Sequence, residues 1–141
     1  MFIKESERIT LIFWCRFEGY RVRVFTDAAY NGLPEPRREG LKRYEIVFRP
    51  MTWGMQSAAR RAATFDNLET GMRDFDSGVY MSEKLVQGVV EWSLTRTEAG
   101  QSVPAPITRD TLDQLHPKIA EYIINFYDAQ SELTEEQLKK S

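Results

Sequence analysis

Hydrophobic and polar residues alternate along the N-terminal part of the chain, and this pattern predicts β-strands. Over residues 9–17 every odd-numbered side chain is apolar, which places these side chains on one face of a strand. The alternation returns over residues 20–26. A two-residue turn at Glu18-Gly19 would join the two strands in a hairpin with one apolar face. In this register the facing pairs are Cys15 with Val22, Phe13 with Val24, Trp14 with Arg23 and Arg16 with Arg21.

Residues 27–41 interrupt the alternation with glycines, prolines and charges, and they predict an irregular loop. Residues 42–49 alternate again and predict a third strand. Pro50 is expected to end this strand because proline cannot donate a hydrogen bond to a ladder. A small antiparallel sheet of three strands is therefore expected within residues 1–50.

Helical spacing of apolar residues begins after this sheet. Thr52 is the expected N-cap of a long helix that ends near Ser77-Gly78. Its apolar stripe, at spacings of three, four and three, consists of Phe65, Leu68, Met72 and Phe75. A second helix is expected to end near Trp92, with a stripe of Met81, Leu85, Val89 and Trp92.

Capping residues and prolines indicate the elements that follow. Residues 95–100 form a polar turn, and residues 103–107 form an extended segment that contains two prolines. Thr108 is expected to cap a short helix through Leu115. Pro117 suits the first position of the last long helix, because its missing N–H has no partner there in any case.

The last long helix separates its polar and apolar residues. The apolar side holds Leu115, Ile119, Tyr122, Ile123 and Phe126. Two consecutive aromatic residues cannot both face one core, so either Phe126 or Tyr127 is expected to remain available to a partner. We expect Tyr127 to be that residue, so that its replacement by alanine would leave the stability nearly unchanged. In the tail, a capping-box pattern of Thr134 and Gln137 predicts a short polar helix over residues 135–140.

These elements predict an α+β fold in a single domain, residues 1–141. A small antiparallel N-terminal sheet (residues 1–50) is followed by a mainly helical part (residues 51–141). The length of 141 residues and the hydrophobic content of 42% suit one ordinary core. The single cysteine excludes an internal disulfide and suits a reducing compartment. No stretch approaches the roughly 20 apolar residues of a membrane span, so a cytoplasmic protein is expected.

Residues that could carry chemistry are few. The only histidine, His116, and the only cysteine, Cys15, fall short of the three or four ligands of a transition-metal site. His116 is interpreted as a helix-terminal residue, and Cys15 is expected on the apolar face of its strand, which disfavours a reactive thiol. The carboxylates at 66, 69, 74 and 76 do not have the spacing of a calcium loop. The sequence therefore predicts no catalytic residue, no cofactor and no metal, and a protein that is not an enzyme.

A nucleic-acid-binding module is one alternative, because basic residues concentrate in the middle of the chain. They are Arg37, Arg38, Lys42, Arg43, Arg49, Arg60 and Arg61. Stacking on bases could come from Trp14, Tyr44 and Trp53. The net charge of −2 argues against this alternative, since nucleic-acid-binding domains are usually clearly basic.

Four segments, in order, resemble a known family: the phage tail assembly chaperones, small proteins encoded just before the tape measure protein of long-tailed phages. Residues 48–54 (FRPMTWG) are similar to the family's strand-to-helix junction, and residues 89–95 (VVEWSLT) to its V-x-W-x-L-T signature. Residues 100–112 resemble the G-x-P-V-P-x-T-x-E-x-L stretch, and residues 115–127 the closing L-P helix. The similarity covers about residues 44–141 and leaves the N-terminal hairpin and loop outside.

The resemblance implies a protein of the host cytoplasm that coats the tape measure protein, keeps it soluble and recruits tail tube subunits. Amphipathic helices on a small sheet could hold an apolar helical segment of that partner in a groove. The expected partner-binding residues are Trp53, Trp92, Phe126 and Tyr127, although an aromatic residue at helical spacing, such as Trp92, is more often part of a core. Self-association stays open. A small structural virion protein of tail, neck or baseplate is a further alternative.

Overall fold

The computed structural model describes residues 1–132 and places them in an α+β fold around one antiparallel sheet. In chain order the elements are β1 (Ile9–Glu18), β2 (Arg21–Thr26), α1 (Asp27–Asn31), α2 (Glu35–Arg38), β3 (Lys42–Phe48), α3 (Trp53–Ala63), β4 (Thr64–Asp66), β5 (Arg73–Phe75), α4 (Ser77–Gly88), β6 (Val89–Trp92), β7 (Thr95–Glu98), β8 (Gln101–Pro104), α5 (Arg109–Asp113) and α6 (Pro117–Ala129). The main sheet has the order β2-β1-β3-β6, and two further hairpins pair β4 with β5 and β7 with β8. The expected fold class is confirmed. The predicted tail helix lies outside the described residues.

The first hairpin forms, but the predicted register is wrong by two residues. Glu18 still belongs to the ladder, opposite Arg21, so the turn is Gly19-Tyr20. Gly19 has φ +63°, the left-handed conformation that such a turn needs and that glycine adopts without strain. Cys15 therefore faces Val24 instead of Val22. Because side chains alternate with a period of two, a shift of two residues keeps the apolar residues on the same face.

The segment expected to be a loop, residues 27–41, contains the short helices α1 and α2. The Thr26 hydroxyl accepts the Ala29 N–H at 3.0 Å and caps α1. The ring of Tyr30 then stacks on Trp14 with the centroids 3.6 Å apart, and Trp14 Nε1 donates to Asp27 at 3.0 Å. These contacts hold the segment against the outer face of the sheet, and they could not be inferred from local composition.

The long helix expected between Thr52 and Ser77 is also wrong in its second half. Thr52 does cap α3, since its hydroxyl accepts the Met55 N–H, but α3 ends at Ala63. Residues 64–75 form the β4–β5 hairpin, in which Gly71 has φ +70°. All four residues of the predicted stripe are between 47% and 97% exposed. Although these four residues have helical spacing, none of them is buried in the core of the chain.

The second predicted helix ends four residues earlier than expected. Helix α4 stops at Gly88, and Val89–Trp92 is the edge strand β6, paired with β3. The Arg49 N–H donates to the Gly88 carbonyl at 2.8 Å where the chain passes from helix to strand. Two consecutive valines favour a strand, and the free edge of β3 offers the partner that the sequence does not reveal.

The C-terminal elements agree with the caps read from the sequence. Thr108 caps α5, which ends at Asp113, two residues before the predicted end, and Pro117 begins α6. The polar turn predicted over residues 95–100 is correct only for its last two residues, because Thr95–Glu98 forms the strand β7. The turn of the β7–β8 hairpin is Ala99-Gly100, where both residues have positive φ, as a two-residue hairpin turn requires.

The core lies on one face of the main sheet, beneath α4, α5 and α6. Its fully buried side chains are Phe13, Cys15, Ile46, Phe48 and Ile123. Aromatic contacts join the sheet to α6: Phe13 to Tyr122 at 5.3 Å and Phe48 to Tyr127 at 4.6 Å between ring centroids. Within residues 1–132, no helix is long and apolar enough to cross a membrane.

Candidate partner-binding groove

An apolar groove of about 550 Å³ lies between α4 on one side and α5 with α6 on the other. Leu85, Leu112 and Ile124 line it from the core side and are each less than 8% exposed. Met81, 41% exposed, also lines the groove and is open to solvent. The remaining lining residues are Gly78, Ser82, Asp113, Pro117, Ala120, Glu121 and Asn125. A concave, mainly apolar surface of this size is typical of a binding site.

The segment that runs from β6 to α5 helps to position one wall of this groove. Trp92 Nε1 on β6 donates to the Ala105 carbonyl at 2.7 Å, and the Ala105 N–H donates to the Leu94 carbonyl at 2.9 Å. Leu94 and Ala105 are both buried. These bonds hold the segment after β8 against the sheet edge, and α5 follows it, with Thr108 as its N-cap and Leu112 buried in the core.

His116 fixes the start of α6, the other wall. Its Nδ1 accepts the Lys118 N–H at 3.1 Å, so the proton of the neutral ring is on Nε2, which donates to the Tyr20 carbonyl at 2.6 Å. The ring thus caps the helix and joins it to the β1–β2 turn. The interpretation of His116 as a helix-terminal residue is confirmed.

The C-terminal half of α6 is held by Tyr127. Its hydroxyl donates to the Arg49 carbonyl at 2.7 Å, and its ring covers Gly88, where a side chain would collide with it. Burial raises the pKa of the Tyr127 hydroxyl from 10.0 to about 12. Lys84 on α4 is buried and pairs with Asp128 on α6 at 2.6 Å. The two helices that flank the groove are therefore tied to each other and to the sheet.

The polar residues of the groove give it a negative character. Asp113 and Glu121 line it, together with Ser82 and Asn125, whereas no lysine or arginine belongs to its lining. Such a site favours a ligand that combines an apolar surface with flanking positive charges, because charge complementarity steers and orients association.

Three of the four residues predicted to bind a partner lie in or against the core. Tyr127 is 2% exposed and cannot offer its ring to a partner in this fold, so the expectation that it is the free member of the aromatic pair is wrong. Phe126 is half-buried, 6.0 Å from Phe48, and Trp92 is half-buried on β6. Trp53 is 73% exposed, with the Arg60 guanidinium 5.8 Å from its ring centroid.

A groove between amphipathic helices was expected, but the sequence did not predict where it would lie, although several of its residues belong to predicted elements. Leu85 and Met81 were placed on an apolar helix stripe, but nothing in the sequence indicated that this stripe would face α6. Pro117 and Thr108 marked the helix starts that shape the groove. The distance between two helices is decided by packing across the chain, which local patterns do not contain.

Two of the three aromatic residues that could stack on bases stack on other residues of this chain instead. Trp14 stacks on Tyr30, and Tyr44 stacks on Phe13 with the centroids 5.4 Å apart. The Arg38 guanidinium donates to the carbonyls of Leu33 and Asn31. The arrangement therefore does not favour a basic stacking platform.

Cys15 is fully buried, as its strand position predicted. Burial raises the pKa of its thiol from 9.0 to about 11, which keeps the thiol protonated at neutral pH. Cys15 lies in the core, whereas the His116 ring contacts the β1–β2 turn at the surface. Over the described part of the chain, no three histidine, cysteine or acidic side chains are grouped so that they could hold a metal ion.

Comparison of the chain with models of known protein families, with curated proteins and with solved structures finds no match in any of the three.

Proposed function

We propose that this protein is a phage tail assembly chaperone that holds an apolar helical segment of the tape measure protein in the groove between α4 and α6. The observation that carries the proposal is the coincidence of two features. The segments that resemble the chaperone family, residues 89–95 and 100–112, are the ones whose contacts position α5 at the groove. The groove is also apolar and open along a helix pair, which suits recognition of a helix.

The charges of the groove specify the partner segment further. Asp113 and Glu121 lie beside an apolar floor, so the bound segment is expected to carry lysine or arginine next to its apolar face. A free segment of that kind exposes apolar surface and tends to aggregate, and covering it would keep the tape measure protein soluble.

Filling the groove tests the proposal. Ala120 lines the groove on α6, whereas Ala129 is an exposed residue at the end of the same helix. Ala120→Trp should abolish solubilisation of the co-expressed tape measure protein, and Ala129→Trp, the matched control, should not. Glu121→Lys should weaken binding at least about tenfold by reversing one charge. Solubilisation that is unaffected by Ala120→Trp would exclude the groove, and a wild-type protein that never solubilises the tape measure protein would exclude the function.

Mass spectrometry distinguishes the chaperone from the alternative of a small structural virion protein. It compares the amount of the protein in purified virions with the amount in a lysate of infected cells. An assembly chaperone should be abundant in the lysate and missing from virions. Presence in virions at a fixed copy number would instead identify a structural subunit.

A further inference from the structure

The β4–β5 hairpin, residues 64–75 (the arm), is a surface that the groove does not use. It projects between α3 and α4 and exposes Phe65, Leu68, Met72 and Phe75, with Leu68 97% and Met72 70% accessible. An isolated two-stranded ribbon is marginally stable in water. Such a large exposed apolar content on so small an element indicates that the arm is covered in the working protein.

The arm is also acidic. It carries the carboxylates Asp66, Glu69 and Asp74 against one guanidinium, that of Arg73, which already pairs with Asp66 at 3.5 Å. A surface that covers the arm should therefore be apolar and basic.

This chain has a surface of that composition at the other end of α3. A hollow of about 480 Å³ (the basic patch) is lined by Lys4, Arg8 and Arg49 together with the apolar Ile3, Pro50 and Met55. One carboxylate, Glu5, also lines it. Trp53, at the first turn of α3, is 73% exposed beside it in the chain. The positive end of the α3 dipole lies at the same end of the helix.

The placement of the two surfaces suits a two-fold axis. The basic patch includes Thr52, the N-cap of α3, and the arm starts directly after Ala63, its last residue. Eleven helical residues separate them by about 16 Å. If two copies align their α3 helices antiparallel, the arm of each copy meets the basic patch of the other. A closed pair of this kind satisfies both surfaces at once.

We propose that the protein forms a symmetric homodimer in which the acidic, apolar arm of each copy covers the basic patch of the other. This interface is separate from the groove, so a dimer keeps two grooves open for a partner. The arm lies on the surface away from the core, and its exposed side chains can be replaced without removing core contacts.

Sedimentation velocity over a concentration series tests the dimer. The wild-type chain should change from one to two chain masses as its concentration rises. Leu68→Ser in the arm and Lys4→Glu in the basic patch should each weaken the dimer at least about tenfold. Tyr20→Ser is the matched control, since Tyr20 is 81% exposed on the β1–β2 turn, away from both surfaces.

Three results would overturn the proposal. They are a wild-type chain that stays monomeric at every concentration, a dimer that neither Leu68→Ser nor Lys4→Glu weakens, and a dimer that Tyr20→Ser weakens equally. A monomeric wild type whose Leu68→Ser variant no longer solubilises the tape measure protein would assign the arm to that partner. Such a result would leave the chaperone proposal standing while rejecting the dimer.

Discussion

Tyr127 should be a main point of attachment between α6 and the sheet, and its replacement tests the central packing of the fold. Its ring stacks on Phe48 with the centroids 4.6 Å apart and covers Gly88, and its hydroxyl donates to the Arg49 carbonyl at 2.7 Å. Tyr127→Phe removes the hydrogen bond alone, and Tyr127→Ala removes both the bond and the ring. The two variants therefore separate polar and packing contributions.

The two losses differ in size. Removal of the hydroxyl should lower the free energy of unfolding by about 1 kcal/mol, which is the usual net contribution of one hydrogen bond. Removal of the ring from a site that is 2% exposed leaves a cavity and should lower it by about 3–5 kcal/mol in total. Since small domains have about 5–15 kcal/mol of stability, the alanine variant should be close to unfolding.

Urea denaturation followed by circular dichroism measures both values. Tyr20→Phe is the control, because it deletes the same hydroxyl from a residue that is 81% exposed, and it should change the stability by less than about 0.5 kcal/mol. The pH dependence gives a second readout. The folded pKa of Tyr127 is raised from 10.0 to about 12, so its contribution is present below pH 10 and is lost as the pH rises through 12. Tyr127→Phe should remove this part of the alkaline loss.

One result would refute the reasoning. The reasoning fails if the free energy of unfolding of Tyr127→Ala lies within about 0.5 kcal/mol of the wild-type value while partner binding is lost. Tyr127 would then belong to a binding surface, as the sequence pattern predicts.

The remaining predictions concern the same core. Gly88→Ala should destabilise the fold by about 1–3 kcal/mol, because its new methyl group would collide with the Tyr127 ring, and thermal denaturation would show it. Asp128→Asn should lower the free energy of unfolding by about 1–3 kcal/mol, because it leaves the buried Lys84 charge unpaired. The loss should be smaller than for a fully buried pair, since the Asp128 side chain is 47% exposed. An unchanged urea midpoint would contradict this prediction. The raised pKa of Cys15 contributes stability that is present below pH 9 and is lost as the pH rises through about 11. The free energy of unfolding of Cys15→Ala, measured by urea titration, should therefore decline less steeply over this pH range than that of the wild type. The native Cys15 thiol should also react with a thiol reagent at neutral pH only on unfolding, and rapid labelling of the folded protein would refute its burial.

Local chemistry along the chain predicted several elements correctly. The alternation of residues 9–17 predicted the central strand and its apolar face, because a strand with one buried face needs a period of two. Thr52, Thr108 and Pro117 marked helix starts, because caps act on backbone groups within a few residues of themselves. The burial of Cys15 followed from the same alternation.

The sequence pattern failed where a segment's partner lies far away in the chain. Residues 64–75 have helical spacing but form an exposed hairpin, and residues 89–92 continue a helical stripe but add a strand to the edge of β3. In the first hairpin the pattern predicted the face and not the register, because a shift of two residues leaves the face unchanged.

The groove and the choice between Phe126 and Tyr127 were decided only by the tertiary structure. The two residues are adjacent and aromatic, so the sequence pattern favours burial of either one equally. It does not show that Tyr127 is the residue that contacts Phe48, Gly88 and the Arg49 carbonyl. The sequence by itself determined the first three strands, the helix caps and the overall class, since these depend on period and backbone chemistry. Which surfaces close on each other and which remain open depends on packing between distant segments, and that is where the groove and the arm arise.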